Sequence, residues 1–155
     1  MNRAAGFSSS KNDLKQIYLT FVRSILEQSA VVWHSSLTEK NTRDLERVQK
    51  AAVRVILGKD YTNYKNGLKK LNMERLTKRR EKICLRFAKN CLKNEKVRNM
   101  FPKNVTEHKM KTRKSKGFKV QLAKTKRYKN SAIPYMVNLL NKEFTEKKKI
   151  MNQDN

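Results

Sequence analysis

The stretch from Thr38 to Gly58 constrains the fold most, because it has the clearest helical period in the chain. Apolar residues recur there at steps of three and four and so share one helix face; they are Leu45, Val48, Ala52, Val55 and Ile56. Basic residues recur in the same way on another face; they are Arg43, Arg47, Lys50 and Arg54. A side-chain oxygen of Thr38, Asn41 or Thr42 can cap the first turn, and Gly58 can end the helix. The pattern therefore predicts one helix with an apolar face and a cationic face.

The sequence leaves two interpretations of this cationic face open. It is either an ordinary solvated surface, since surface helices are commonly charged, or a surface that contacts phosphate. Lys and Arg number 38 against 13 Asp and Glu, which gives a formal net charge of +25. A chain with such an excess repels itself unless a polyanion lies against it. Because nucleic acid is the usual polyanion for a strongly basic domain, the composition favours contact with phosphate.

An anionic membrane is the weaker alternative. No segment combines a basic face with a face rich in Trp, Phe and Leu. No stretch approaches the ~20 apolar residues of a membrane span, and the first residues lack the apolar run of a signal peptide. We therefore expect no membrane partner and an intracellular protein, nuclear or cytoplasmic, with reduced thiols.

Helical periods also occur outside this stretch, and no convincing alternating strand pattern accompanies them. One apolar stripe consists of Leu14, Ile17, Tyr18, Phe21, Val22, Ile25 and Leu26. Two more helices are predicted over about Tyr64–Leu71 and Met73–Leu92, and Pro134 suits the first turn of a last one. The predicted fold class is all-α. It comprises a small helical bundle over 1–92, a basic and partly disordered arm over 93–130, a short C-terminal helix over 131–150 and a disordered tail over 151–155.

The predicted arm is strongly basic between Lys103 and Asn130. Only Glu107 opposes its cations, which are Lys103, Lys109, Lys111, Arg113, Lys114, Lys116, Lys119, Lys124, Lys126, Arg127 and Lys129. Such a run is either a flexible linker or an arm that follows a phosphate backbone. The two interpretations are compatible, because such arms often become ordered on binding.

The inventory of reactive residues argues against catalysis. Two-metal phosphoryl chemistry needs clustered carboxylates, and the aspartates are scattered: Asp13, Asp44, Asp60 and Asp154. There is no phosphate-binding glycine loop. Cys84 and Cys91 are seven residues apart on one predicted helix, and His34 and His108 are isolated, so core thiols are favoured over a zinc site. We expect no cofactor, no metal and no small-molecule substrate.

Four runs in the chain resemble non-LTR (LINE-type, jockey-like) retrotransposon reverse transcriptases. The first is YLTFVRSILE, Tyr18 to Glu27, followed by Val31 to Trp33; the second is LERVQKAAVR, Leu45 to Arg54. The third is the group Leu76, Arg79 and Arg80, and the last is TKRYKNSAIP, Thr125 to Pro134. Their order and spacing agree with that family and together cover nearly the whole chain.

The resemblance implies a position after the polymerase palm, in the helical thumb and the C-terminal extension. In that family the thumb grips the template–primer duplex through its backbone, whereas the catalytic aspartates lie in the palm. The chain would then be the C-terminal piece of an RNA-directed DNA polymerase and no enzyme on its own. Its expected partners are RNA or DNA, as template–primer duplex or element RNA, and the missing palm.

The residues expected to bind nucleic acid are cations on the predicted helices and in the arm. They are Arg43, Arg47, Lys50, Arg54, Arg79, Arg80, Lys111, Arg113, Lys114, Lys126 and Arg127. Tyr61, Tyr64 and Tyr128 could stack on bases, with packing as an equal alternative. A second hypothesis is a structural or interaction module, or a transposon remnant without independent activity, in which the helices expose an orphaned apolar face.

Overall fold

A computed structural model describes residues 10–103 and 117–151, with side chains described as far as residue 146. Its α-helices are α1 Lys11–Ile17, α2 Arg23–Glu27, α3 Ala30–Trp33, α4 Glu39–Leu57, α5 Tyr64–Lys70, α6 Leu76–Lys93, α7 Glu95–Arg98, α8 Lys126–Lys129 and α9 Ala132–Met151. A π-helical turn, Tyr18–Val22, joins α1 to α2, and 3-10 turns follow α3 and α4. Within the described ranges no strand forms, and the β-type pairing is one isolated bridge between Lys103 and Phe118. The predicted all-α fold is therefore confirmed.

The chain divides into two compact units. Of the described residues, the first unit contains 10–28 and 38–79, and the second contains 29–37, 80–103 and 117–151. The predicted bundle over residues 1–92 does not coincide with either unit. The part of α6 beyond Arg79 packs with α9 rather than with α4, which explains the difference.

The core of the first unit lies between α4, α5 and the π-helical turn. Its buried apolar residues are Tyr18, Val53, Ile56, Leu57, Leu68 and Leu71. Gly67 allows α4 and α5 to approach closely, since a Cβ at this position would lie 2.6 Å from Cγ1 of Val53.

The caps of α4 follow the local chemistry predicted from the sequence. Thr38 precedes the helix, and its hydroxyl accepts a hydrogen bond from the Asn41 backbone N–H at 3.1 Å. Gly58 follows the last residue with φ +52°, a conformation that a side chain disfavours. Both ends of the helix are thus fixed by residues at its boundaries.

The buried face of α4 differs from the predicted one. Its buried residues are Gln49, Val53, Ile56 and Leu57, whereas Val48 and Val55 of the predicted face are exposed. The reason is that the polar residue Gln49 lies at the centre of the buried side. A pattern of apolar residues alone does not include it, so the predicted face was rotated towards Val48 and Val55.

The predicted stripe from Leu14 to Leu26 is also split. Tyr18 is buried, whereas Ile17, Phe21 and Ile25 are exposed. Its seven residues cover a wider arc than one packed helix face, so only part of them can reach the core.

The core of the second unit lies between α6, α9 and the residues before and after the undescribed segment 104–116. It contains Cys84, Ala88, Cys91, Phe101, Phe118, Met136, Val137 and Leu140. Asn141 on α9 holds Phe118 at both backbone groups, because its Oδ1 accepts from the Phe118 N–H at 2.8 Å and its Nδ2 donates to the Phe118 carbonyl at 3.0 Å. Lys89 of α6 reaches Glu143 of α9 at 2.6 Å.

Phe101 and Phe118, which lie within the predicted basic arm over 93–130, are buried in the core of the second unit. The two phenylalanines precede and follow residues 104–116, which lie outside the described residues. The partial disorder predicted for the arm stays a prediction. The helix predicted over 131–150 agrees with α9 to within one residue at each end.

Candidate nucleic-acid interface

One exposed side of α4, next to its buried side, carries four basic residues. Arg43, Arg47, Lys50 and Arg54 are all exposed, at intervals of four, three and four residues. At 1.5 Å rise per residue they form a row about 16 Å long. The structure therefore brings together the four cations that the sequence assigned to one face.

Two of these cations have neighbours within the first unit. The Arg47 guanidinium lies 3.3 Å from Asp44 in an exposed pair, and the Arg54 guanidinium lies over the Tyr61 ring, 5.3 Å from its centroid. Exposed pairs of this kind contribute little, so Arg47 can exchange Asp44 for a phosphate. Because Arg54 covers Tyr61, that ring is a support for the arginine rather than a free platform for a base.

A buried hydrogen-bond network fixes the rotation of α4. Gln49 Oε1 accepts from the Tyr18 hydroxyl at 2.9 Å, and Gln49 Nε2 donates to the Tyr64 hydroxyl at 3.0 Å and to the Glu74 carbonyl at 2.9 Å. The Tyr64 hydroxyl donates to Glu46 Oε1 at 2.5 Å. With Gln49 held on the inner side, the four cations lie on a neighbouring side of the helix that is exposed.

The environment of this network favours neutral phenols. Burial is the main cause that raises the pKa of Tyr18 well above its ordinary value. The pKa of Tyr64 is raised by burial and then by its hydrogen bond to Glu46. Both tyrosines therefore act as hydrogen-bonding members of the core, and Tyr64 is not available to stack on a base.

Arg79, another predicted contact, already binds a carboxylate. Its Nε and Nη2 donate to the two oxygens of Glu27 at 2.5 and 3.0 Å. That hydrogen bond is the main cause that raises the pKa of Arg79, and Arg23 also approaches Glu27, at 3.9 Å. A phosphate would have to displace Glu27, so Arg79 holds the first unit together more readily than it binds nucleic acid.

Arg80 corrects the prediction most clearly, because its side chain is fully buried. Its Nε donates to His34 Nδ1 at 3.3 Å, and its guanidinium lies 5.6 Å from the centroid of the Trp33 ring. Burial, and then the charge of Arg80, lowers the pKa of His34 to about 4. Arg80 is a core residue of the second unit and does not present its charge to an external phosphate.

The remaining predicted contacts belong to the arm. Lys126 and Arg127 are exposed on α8 of the second unit, where the Thr125 hydroxyl caps the helix by accepting from the Tyr128 N–H at 3.2 Å. The other three predicted contacts, Lys111, Arg113 and Lys114, lie outside the described residues. Among the described residues, the largest group of exposed predicted contacts on one helix is that on α4. We call Arg43, Arg47, Lys50 and Arg54 the cationic row.

No family model, curated protein or solved structure matches this chain. The site therefore has to be interpreted from its own residues.

Neither a metal cluster nor a reactive thiol stands out in the described part of the chain. No group of three or more His, Cys, Asp or Glu residues is placed to hold a metal there.

Cys84 and Cys91 are buried in the second core, as predicted, and burial raises the pKa of Cys84 to about 11. No helix among the described residues is long and apolar enough to cross a membrane.

Sequence reasoning missed the residues that position the cationic row. Gln49 and Glu46 lie on the inner side of α4, and Glu27 lies 52 residues before the arginine that it binds. One signal was present, since Gln49 lies four residues after Leu45 and four before Val53, in register with apolar residues. A polar residue in such a register indicates a buried hydrogen-bonding group.

Proposed function

We propose that this chain is a non-catalytic module that binds the phosphate backbone of nucleic acid through the cationic row on α4. The observation that carries the proposal is the common exposure of all four cations on a helix whose rotation is fixed by Gln49. Contacts of this kind supply affinity and register but little sequence information. The expected ligand is therefore RNA or DNA, recognised by charge and backbone shape.

We also propose that the module derives from the thumb region of a non-LTR retrotransposon reverse transcriptase. The proposal rests on the four runs that resemble that family in order and spacing. It is supported by contacts between residues of different runs within one unit. Tyr18 of the first run binds Gln49 of the second, and Glu27 of the first binds Arg79 of the third. Primer extension by the purified chain would contradict a non-catalytic role.

The test of backbone binding compares two variants that each lose four positive charges, one in the cationic row and one elsewhere in the same unit. The row variant carries Arg43→Gln, Arg47→Gln, Lys50→Gln and Arg54→Gln. The matched control carries four exposed cations of the same unit changed to Gln: Lys59, Lys65, Lys69 and Lys78. Binding to a fluorescent duplex is measured by anisotropy at fixed salt.

We expect the row variant to lose at least about tenfold more affinity than the control. Equal losses in both variants would mean that only net charge matters, and the assignment to α4 would be wrong. Circular dichroism of both variants checks that the helices remain folded.

An interaction module is the second candidate, and one observation favours it. Three large apolar side chains of the first unit, Ile17, Phe21 and Ile25, are more than half exposed. Exposed apolar patches commonly mark contact surfaces. If this is the main function, the row variant will bind its protein partner normally.

A further inference from the structure

Tyr128, on α8 of the second unit, differs from the other tyrosines in the surroundings of its ring. The other four are each engaged by a neighbour within their own unit; they are Tyr18, Tyr61, Tyr64 and Tyr135. Tyr128 is 42% exposed, and no other ring or cation of the described residues lies against its ring. The ring is therefore open to a flat partner from outside the chain.

Hydrogen bonds hold Tyr128 at three points. Its backbone N–H donates to the Thr125 hydroxyl at 3.2 Å, and its carbonyl accepts from the N–H and the hydroxyl of Ser131 at 3.0 and 2.7 Å. Its own hydroxyl donates to Gln121 Oε1. An aromatic ring that is held in place before binding loses little conformational entropy when a ligand stacks on it.

The chain around Tyr128 is basic and contains no carboxylate. Residues 117–130 include neither Asp nor Glu. Four exposed cations lie within four residues of Tyr128; they are Lys124, Lys126, Arg127 and Lys129. None of the four forms an ion pair with a described residue, so a phosphate has no carboxylate of the described chain to displace. We call Tyr128 and these four cations the α8 patch.

We propose that the α8 patch binds single-stranded nucleic acid, with Tyr128 stacked on one unpaired base and the cations on the phosphates beside it. Basic surfaces that carry an aromatic platform bind single strands in this way, because every base offers a flat face. The bases of a duplex are already stacked on one another and leave no face for Tyr128. The proposal goes beyond the cationic row, since it concerns another unit and another form of nucleic acid.

The open ring favours nucleic acid over an acidic protein as the ligand of the α8 patch. Carboxylates would pair with the four cations but would leave Tyr128 without a stacking partner. A nucleotide combines an anion with a flat base, so it uses both parts of the patch. An acidic polypeptide is therefore the comparison ligand in the experiment.

The experiment measures fluorescence anisotropy of three labelled ligands with the full chain. They are a short oligodeoxythymidylate, an abasic strand of the same length and polyglutamate. Tyr128→Ala removes the ring, whereas Tyr128→Phe keeps it. Phe87→Ala is the matched control, because Phe87 is a 46% exposed aromatic residue of the same unit. A further variant changes Lys126 and Arg127 to Gln, and thermal melts check that all variants are folded.

We expect Tyr128→Ala to lose at least about fivefold in affinity for the thymidylate, which is the lower end of what stacking on one base contributes. Tyr128→Phe and Phe87→Ala should bind it as the unmodified chain does. The abasic strand should bind more weakly, with equal affinity for the unmodified chain and Tyr128→Ala. The variant of Lys126 and Arg127 should weaken binding of both strands, because both carry phosphates.

Three results would overturn the proposal: unchanged binding of the thymidylate by Tyr128→Ala, an equal loss on the abasic strand, or polyglutamate bound as tightly as the thymidylate. The cationic row is tested separately with a duplex, to which Tyr128→Ala should bind normally. If duplex binding does not depend on the row while Tyr128→Ala still weakens binding of the single strand, the assignment to α4 fails and the α8 patch stands.

Discussion

Gln49 is the residue on which the geometry of the candidate interface depends. It is fully buried and uses its amide oxygen and nitrogen to join Tyr18, Tyr64 and the carbonyl of Glu74. Buried polar groups cost free energy unless they are hydrogen-bonded. This network therefore favours one rotation of α4 about its axis, because other rotations would leave these buried polar groups without hydrogen bonds.

Replacing Gln49 tests this role. Gln49→Leu keeps the approximate volume but leaves the Tyr18 hydroxyl and the Glu74 carbonyl without their partner. We expect the free energy of unfolding to fall by about 1–3 kcal/mol, measured by urea denaturation. The loss should shrink when Tyr18→Phe is combined with Gln49→Leu, since one orphaned hydroxyl is then removed. Additive losses would contradict a direct coupling between the two residues.

His34 supplies a prediction on pH. Its pKa is lowered to about 4 by burial and then by Arg80, and the edge of its ring also meets Tyr135. Between pH 6.5 and about 4 the unfolded chain therefore binds the proton more readily than the folded chain. Stability is retained above pH 6.5 and is lost as the pH falls through this window, by about 1–3 kcal/mol.

The measurement compares urea midpoints at several pH values for the unmodified chain and His34→Gln. The glutamine can still accept a hydrogen bond from Arg80 but does not titrate. Carboxylates contribute equally to both proteins, so the difference isolates the histidine. Parallel curves for the two proteins would mean that His34 is not held neutral by its surroundings.

At the scale of elements, the close contact of α4 with α5 depends on Gly67. A Cβ there would lie 2.6 Å from Val53 Cγ1 and 3.2 Å from Leu57 Cδ1. Gly67→Ala improves helix propensity by up to about 1 kcal/mol, but we expect overpacking to outweigh it. A net loss of about 1 kcal/mol in the free energy of unfolding is expected.

Val53→Ala provides the matched background for this test. With Cγ1 of Val53 removed, Gly67→Ala should cost less than it does in the unmodified chain. Asn66→Ala, on the exposed side of α5, controls for helix propensity alone. If Gly67→Ala and Asn66→Ala both raise the free energy of unfolding by a similar amount, α4 and α5 do not approach as closely as described.

The elements also show what sequence reasoning can reach. The ends of α4 could be predicted, because Thr38 and Gly58 act through contacts within a few residues of themselves. The buried side of α4 could not, since Gln49 gains its partners 31, 15 and 25 residues away. Arg80 was misassigned for the same reason, because its burial depends on Trp33 and His34, far back in the chain.

The predicted arm shows the same limit. Phe101 stands between Met100 and Pro102, Phe118 stands between Gly117 and Lys119, and neither belongs to a periodic apolar pattern. Their burial comes from contacts with α9, which a local window does not contain. The exposure of the four cations on one side of α4, in contrast, could be predicted, since exposure is the default for charged residues that repeat on one helix face.

At the scale of the whole molecule, the full sequence carries a formal charge of +25. The cationic row on α4 and the exposed apolar residues Ile17, Phe21 and Ile25 all belong to the first unit. Salt weakens contacts between the row and a polyanion. The salt dependence of binding therefore separates contacts made by the row from contacts made by the apolar residues.

The salt dependence of duplex binding tests the central claim most directly. Log affinity should fall linearly with log salt, by about 0.9 per neutralised phosphate. If the row neutralises four phosphates, the slope of the row variant should be shallower by about 3.6 than that of the unmodified chain. The control with Lys59, Lys65, Lys69 and Lys78 changed to Gln should keep the original slope. Equal slopes for the unmodified chain and the row variant would contradict the account, because α4 would then contact no phosphate.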